Sequence, residues 1–80
     1  MSHRIPPSPR LLRERFPIQA PNGRTWQGAL YRSATRVTGR RIVVSDRGNV
    51  LFDTDEQFDL ANARHALDAW LGEQVKEMAR

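Results

Sequence analysis

The chain has 80 residues, 39% of them hydrophobic, no cysteine and a formal net charge of +4. That length makes one small domain with a core only just large enough to hold it, and neither disulfides nor thiolate metal sites can assist. No apolar run approaches the ~20 residues that a bilayer crossing needs, and no apolar stretch follows the N-terminal arginines as in a secretory signal, so the expectation is a soluble cytoplasmic protein without membrane contact.

Residues 1–9 (MSHRIPPSP) hold three of the five prolines and little to bury, so they read as a loose arm preceding a single domain over 10–80. Ser8 with Pro9 makes a cap and first-turn pair, and RLLRER has the composition for a short helix of about two turns before Pro17 stops it. Leu11, Leu12 and Phe16 would then lie on the domain. Segment 16–20 is a candidate fourth strand across the Asn22-Gly23 turn.

TWQGALYRSATRV reads as a long strand with Trp26, Gly28 and Leu30 on one face and Gln27, Ala29 and Tyr31 on the other. Gly28 marks a bulge or a close backbone approach. Thr38-Gly39 turns the chain into RIVVS, a strand by its consecutive β-branched residues, and Asp46-Arg47-Gly48-Asn49 turns it again into VLFD. Short turns make these neighbours antiparallel.

From Asp53 to Arg80 the chain reads as one long amphipathic helix entered directly from a strand. Leu60, Ala63, Leu67, Trp70, Leu71, Val75 and Met78 recur at three- and four-residue spacings on one face. Thr54 with Gln57, or Asp53 with Glu56, would form a capping box. Asp55 and Glu56 would sit in the first turn, and Lys76 and Arg80 in the last, as the macrodipole favours. A second reading puts a short turn at 54–58 and starts the helix at Asp59. Gly72 marks a kink or a close contact. The architecture these elements imply is α+β: an antiparallel meander of three or four strands covered by one C-terminal helix.

No motif dictates a chemistry. Asn49-Val-Leu-Phe-Asp-Thr-Asp55 resembles the nucleophile motif of haloacid-dehalogenase-type phosphatases, which would make Asp53 the nucleophile and Asp55 the proton handler. That family also needs a parallel sheet and downstream lysine and acids, for which this chain has no room. Asp53, Asp55 and Asp59 lack the glycine and bidentate glutamate of a calcium loop, so they read as helix-cap acids. His65 has no cysteine or second histidine beside it to build a metal set, and Ser33 or Ser45 with His65 lacks a nucleophile elbow. The chain reads as non-enzymatic, with no cofactor implied.

Charge is divided along the sequence: the front and middle are basic, whereas seven of the nine carboxylates fall from Asp53 onward. Almost all the basic residues are arginine, from codon bias or because planar forks recognise phosphates or carboxylates. Arg32, Arg36, Arg40 and Arg41 gather around the Thr38-Gly39 turn; together with Arg47 and Tyr31 they form a candidate basic hairpin surface. Asp55, Glu56, Asp59 and Asp68 form a weaker candidate, an acidic helix face. Two functions follow. One is a binding protein that docks on a larger protein or nucleoprotein complex through the basic hairpin, the acidic helix or both. The other is a nucleic-acid-binding module using the arginine hairpin and the arm. Nucleic-acid binding requires the arginines to converge on one open face with Tyr31 or Trp26 exposed. Protein docking requires an exposed apolar patch rimmed by charge, as along Trp70, Leu71 and Met78, and such a patch could equally serve a homodimer.

Across residues 40–71, the compact hairpin, the acidic entry FDTDEQF and the Trp70-Leu71 pair look like small inhibitors encoded by phages and mobile elements, anti-CRISPR proteins among them. That resemblance implies a steric role, occupying a nucleic-acid or subunit site on a host complex without chemistry.

Overall fold

The computed structural model of the chain describes residues 5–78. Four strands, β1 (Leu12–Gln19), β2 (Thr25–Arg32), β3 (Arg40–Asp46) and β4 (Asn49–Asp53), precede one helix, α1 (Leu60–Met78). The strands form one antiparallel sheet in the order β1-β2-β3-β4, so the α+β meander with a C-terminal helix is the observed architecture. Arg80, expected in the last helical turn, and the first four residues of the expected arm lie outside the described residues.

The N-terminal helix expected over RLLRER is replaced by a strand. Ser8 does cap a turn, its Oγ accepting from Arg10 N–H at 3.3 Å, but that turn is a single 3-10 element, Pro9–Leu11. From Leu12 the chain is extended, because extension places Phe16 opposite Gly28 and Ile18 opposite Trp26 on one face while β2 satisfies the backbone. An isolated two-turn helix offers no such compensation. Pro17 is tolerated because β1 is a sheet edge, which it also blunts.

Gly28 resolves as a close approach. A Cβ there would stand 2.5 Å from Phe16 Cε2 and 2.9 Å from Ile18 Cδ1, so the Phe16 ring occupies the space that a side chain would need. The irregularities fall elsewhere, at Arg13 on β1 and Leu51 on β4, each an extra residue in its ladder. The Arg47-Gly48 turn is as expected: both residues have positive φ, 53° and 83°, the requirement of a two-residue primed turn between Asp46 and Asn49.

The helix starts at Leu60, not at Asp53, which agrees to within one residue with the second reading of a turn at 54–58 and a start at Asp59, and neither capping box forms. Asp59 is the cap, its Oδ1 accepting from Asn62 N–H at 2.8 Å. The cause lies in residues 54–57, which stay bound to β3. Thr54 N–H donates to the Ile42 carbonyl at 3.0 Å, while Ile42 N–H donates to Thr54 Oγ1 at 2.9 Å. Gln57 then exchanges backbone hydrogen bonds with Arg40, at 2.8 and 3.1 Å. Asp55, at φ 59°, and Glu56 bulge between these two anchor points, so they are not in the first helical turn, whereas Lys76 does lie in the last.

The helix lies chiefly over β3. Its Ala63 and Leu67 join Ile18, Ala20, Trp26, Ile42 and Val44 in the buried core, with Phe16, Leu30, Phe52, Trp70 and Leu71 packed around them. The C-terminal part of the stripe runs past the sheet, leaving Val75 and Met78 more than half exposed, at 56% and 57%. A Cβ added at Gly72 would stand in open space, with no atom of another part of the chain within 4 Å, so no close contact there requires glycine. Gly72→Ala therefore stabilises the domain by about 1 kcal/mol, a rise in melting temperature of about 4–8 °C for a domain of this size; thermal unfolding followed by circular dichroism reads it directly.

Candidate functional site

Antiparallel connectivity divides the loops between two ends of the sheet. The Pro21–Arg24 and Arg47-Gly48 turns share one end, joined by Arg24 to Asp46 at 3.0 Å, an exposed pair worth little. The β2–β3 connection, residues 33–39, and the strand-to-helix connection, residues 54–59, share the other.

That second end is built with care. The turn expected at Thr38-Gly39 is a seven-residue loop, and Arg36 lies on it, not on the strand. Ser33 is buried, and its Oγ accepts from the backbone N–H groups of Thr35 and Arg36 at 3.1 and 3.0 Å. Ser33 N–H donates to the Gly39 carbonyl at 2.9 Å, closing the loop at its neck. The Arg40 guanidinium holds the carbonyls of Val37 and Gly39 from the side, at 3.1 and 2.8 Å. Thr38 Oγ1 donates to the Phe58 carbonyl at 2.8 Å, tying the loop to the strand-to-helix connection. Arg36 lies over the Phe58 ring, 4.8 Å from its centroid. The two connections so fixed nevertheless present apolar surface: Val37 on the loop is 94% exposed and Phe58 on the strand-to-helix connection 67%.

The basic-hairpin residues are only partly brought together. Arg32, Arg36 and Arg40 cluster at the loop end, Arg32 exposed and Arg40 committed to the loop carbonyls. Arg47 stands at the opposite end of the sheet, in the β3–β4 turn. Arg41 and Tyr31 occupy the sheet face that α1 leaves open. There Arg41 makes a two-pronged contact with Asp53: Nε donates to Oδ1 at 2.8 Å, and the terminal nitrogen to Oδ2. Asp53 Oδ1 also accepts from Asp55 N–H at 2.9 Å. The hydrogen bond that Arg41 donates to the Asp53 carboxylate raises the Arg41 pKa, against burial that lowers it. Arg41 is therefore part of a structural pair and not a free surface cation.

Aromatic placement also bears on nucleic-acid recognition. Trp26 is buried, 5.4 Å from Trp70, and Phe52 stacks on Trp70 at 4.8 Å and 5°. Both therefore belong to the helix side, and only Tyr31, half-buried, remains on the open face. Among the described residues, the arginines do not converge on one face beside a stacking platform. Because Trp26 and Phe52 hold Trp70, the Trp70-Leu71 pair is half-buried, and the exposed apolar residues are Val37 and Phe58 at the loop end, Val75 and Met78 at the end of α1, and Ile5, Val50 and Leu51.

The acidic candidates are dispersed. Asp55 and Glu56 lie in the strand-to-helix connection, Asp59 is the helix cap, and only Asp68 stands on α1 itself, exposed. His65 is exposed on the same helix. Among the described residues, no group of three or more His, Asp or Glu side chains is placed to hold a metal ion, and no helix is long and apolar enough to cross a membrane.

Sequence reading missed three residues of this end: Ser33, Val37 and Phe58. Ser33-x-Thr35 carries the signal of a hydroxyl-closed turn, but an apolar residue flanked by arginine and threonine gives no sign of whether it faces in or out. Compared with protein-family models, with curated proteins and with solved structures, the chain gives no match.

Proposed function

We propose that the protein is a non-enzymatic binding module that docks on a larger protein through the loop end of its sheet. The observation that carries this reading is the exposure of Val37, on a loop held by Ser33 and Arg40, together with that of Phe58, on the strand-to-helix connection that Thr38 ties to this loop. Rigidity before binding reduces the ordering cost of association, and an arginine stacked on an aromatic ring beside an aliphatic residue is the composition of an interface anchor. Exposed Arg32 and Arg36 would supply the charged rim and select a partner surface carrying carboxylates. Such a module acts by occupying a surface, the steric role implied by the likeness to small phage-encoded inhibitors.

A photo-crosslinking residue at position 37 tests this reading in lysate of the source cells. The expected result is a discrete protein adduct that survives physiological salt and disappears on Phe58→Ser or Arg36→Ala, with both variants still folded by circular dichroism. Titration of short single- and double-stranded DNA and RNA is the counter-test. Retained affinity with a steep salt slope, abolished by Arg36→Ala, would establish the nucleic-acid reading in its place.

A further inference from the structure

The open face of the sheet carries a second, separate feature. Side chains of β2, β3 and β4 line a concavity of about 730 Å³ whose floor includes Ala29, Tyr31 and Val43, with Val50 and Leu51 on the β4 side. Val50 and Leu51 are exposed, at 64% and 41%. The chain's own Pro6 and Pro7 line one part of it, and Arg41 donates to the Ile5 carbonyl at 3.1 Å.

We infer that this concavity recognises an extended, proline-containing polypeptide segment from another molecule, and that Ile5–Pro7 occupies part of it in cis. Three features of the site fit that chemistry. The backbone groups of β2 and β3 are engaged between strands on both sides, so an occupant lying over them must be read by side chains. Arg41 is held by Asp53 through two nitrogens and still reaches the Ile5 carbonyl, which makes it a pre-positioned donor. Proline has no N–H, and an extended polyproline-type segment presents unpaired carbonyls, so a donor above an apolar floor suits it. Tyr31 supplies the flat aromatic wall that recurs in grooves for such segments.

The arm fills only part of the concavity. At Ser8–Leu11 it turns away into the 3-10 element, and Gln27 and Val50 stay exposed on the same face. A longer segment in trans therefore has room that the arm does not use, and it competes with the arm for Arg41. This inference does not depend on the loop-end reading, because the two surfaces share no lining residue.

The test is amide NMR on the full chain, titrated with a synthetic peptide of sequence RIPPSPR and with the same peptide carrying glycine at each proline. Saturable shifts at Ala29, Tyr31, Arg41 and Val43 are expected from the proline peptide and not from the glycine peptide. In the full chain, Pro6→Gly with Pro7→Gly weakens the in-cis occupant without touching a strand, and the peptide should then bind about three-fold tighter or more. Equal shifts from both peptides, or no saturable shift in either form of the protein, would overturn the proposal. So would concentration-dependent shifts of the same amides without peptide, which would assign the face to a second copy of the chain.

Discussion

Trp70→Ala is expected to remove about 3 kcal/mol of stability. Full truncation of a buried aromatic costs about 3–5 kcal/mol, and the lower end applies because Trp70 keeps one edge in solvent. A domain of this length has about 4–12 kcal/mol in all, so the loss takes a large part of it. Trp70 is the helix residue on which two strands converge: Trp26 of β2 lies tilted against it at 5.4 Å, and Phe52 of β4 stacks on it at 4.8 Å. Without the indole, those rings face a void, and α1 keeps only Ala63 and Leu67 as fully buried contacts. Trp70→Phe retains the stack on Phe52 and should cost about 1 kcal/mol. Chemical denaturation followed by circular dichroism measures both. A Trp70→Ala cost below about 1 kcal/mol would mean that the aromatic layer does not join helix to sheet.

The same residues show which parts of the fold were legible in sequence. Period-two patterning placed Trp26, Gly28 and Leu30 on one common face, which α1 proves to cover, and period 3.6 placed Ala63, Leu67 and Trp70 on the helix stripe, because both patterns depend only on local geometry and burial. The Arg47-Gly48 turn was legible for a similar reason, its positive φ values being local. Two misreadings share a non-local cause. RLLRER has helical composition, yet pairing with β2 makes Leu12–Gln19 a strand. Residues 54–57 carry good capping types, yet Thr54 and Gln57 spend their hydrogen bonds on Ile42 and Arg40 of β3, which delays the helix to Leu60. The arginine cluster misled by its sequence proximity. Arg36, Arg40, Arg41 and Arg47 are close in the chain, but an antiparallel hairpin sends them to a loop, a neck, a face and the far turn. The partners of Arg36 and Arg41, Phe58 and Asp53, are tertiary facts.

Asp53→Asn should be nearly as damaging as the loss of Trp70, at about 2–3 kcal/mol. The Asp53 side chain retains 7% of its exposure and that of Arg41 20%, so neutralising the carboxylate strands a guanidinium that water reaches poorly. It also weakens the acceptor for Asp55 N–H, on which the positive-φ bulge before the helix depends. The larger values seen for fully interior ion pairs do not apply, because the arginine keeps a solvent-facing part. Arg41→Met should cost a similar amount by leaving the carboxylate with fewer donors, whereas the double variant should cost less than the two losses added together. That shortfall, above about 1 kcal/mol, is the coupling that a denaturation cycle isolates. The raised pKa of Arg41 sets the pH range of this contribution. A cation stabilised in the folded state contributes in full below its unfolded pKa and loses that contribution only as pH rises through the folded one. For arginine that loss lies far into alkali, so the coupling from the Arg41 side is constant across neutral pH. Strictly additive losses would show that Asp53 acts through the Asp55 bulge alone. Arg41 would then be free to serve an incoming carbonyl without support from the sheet.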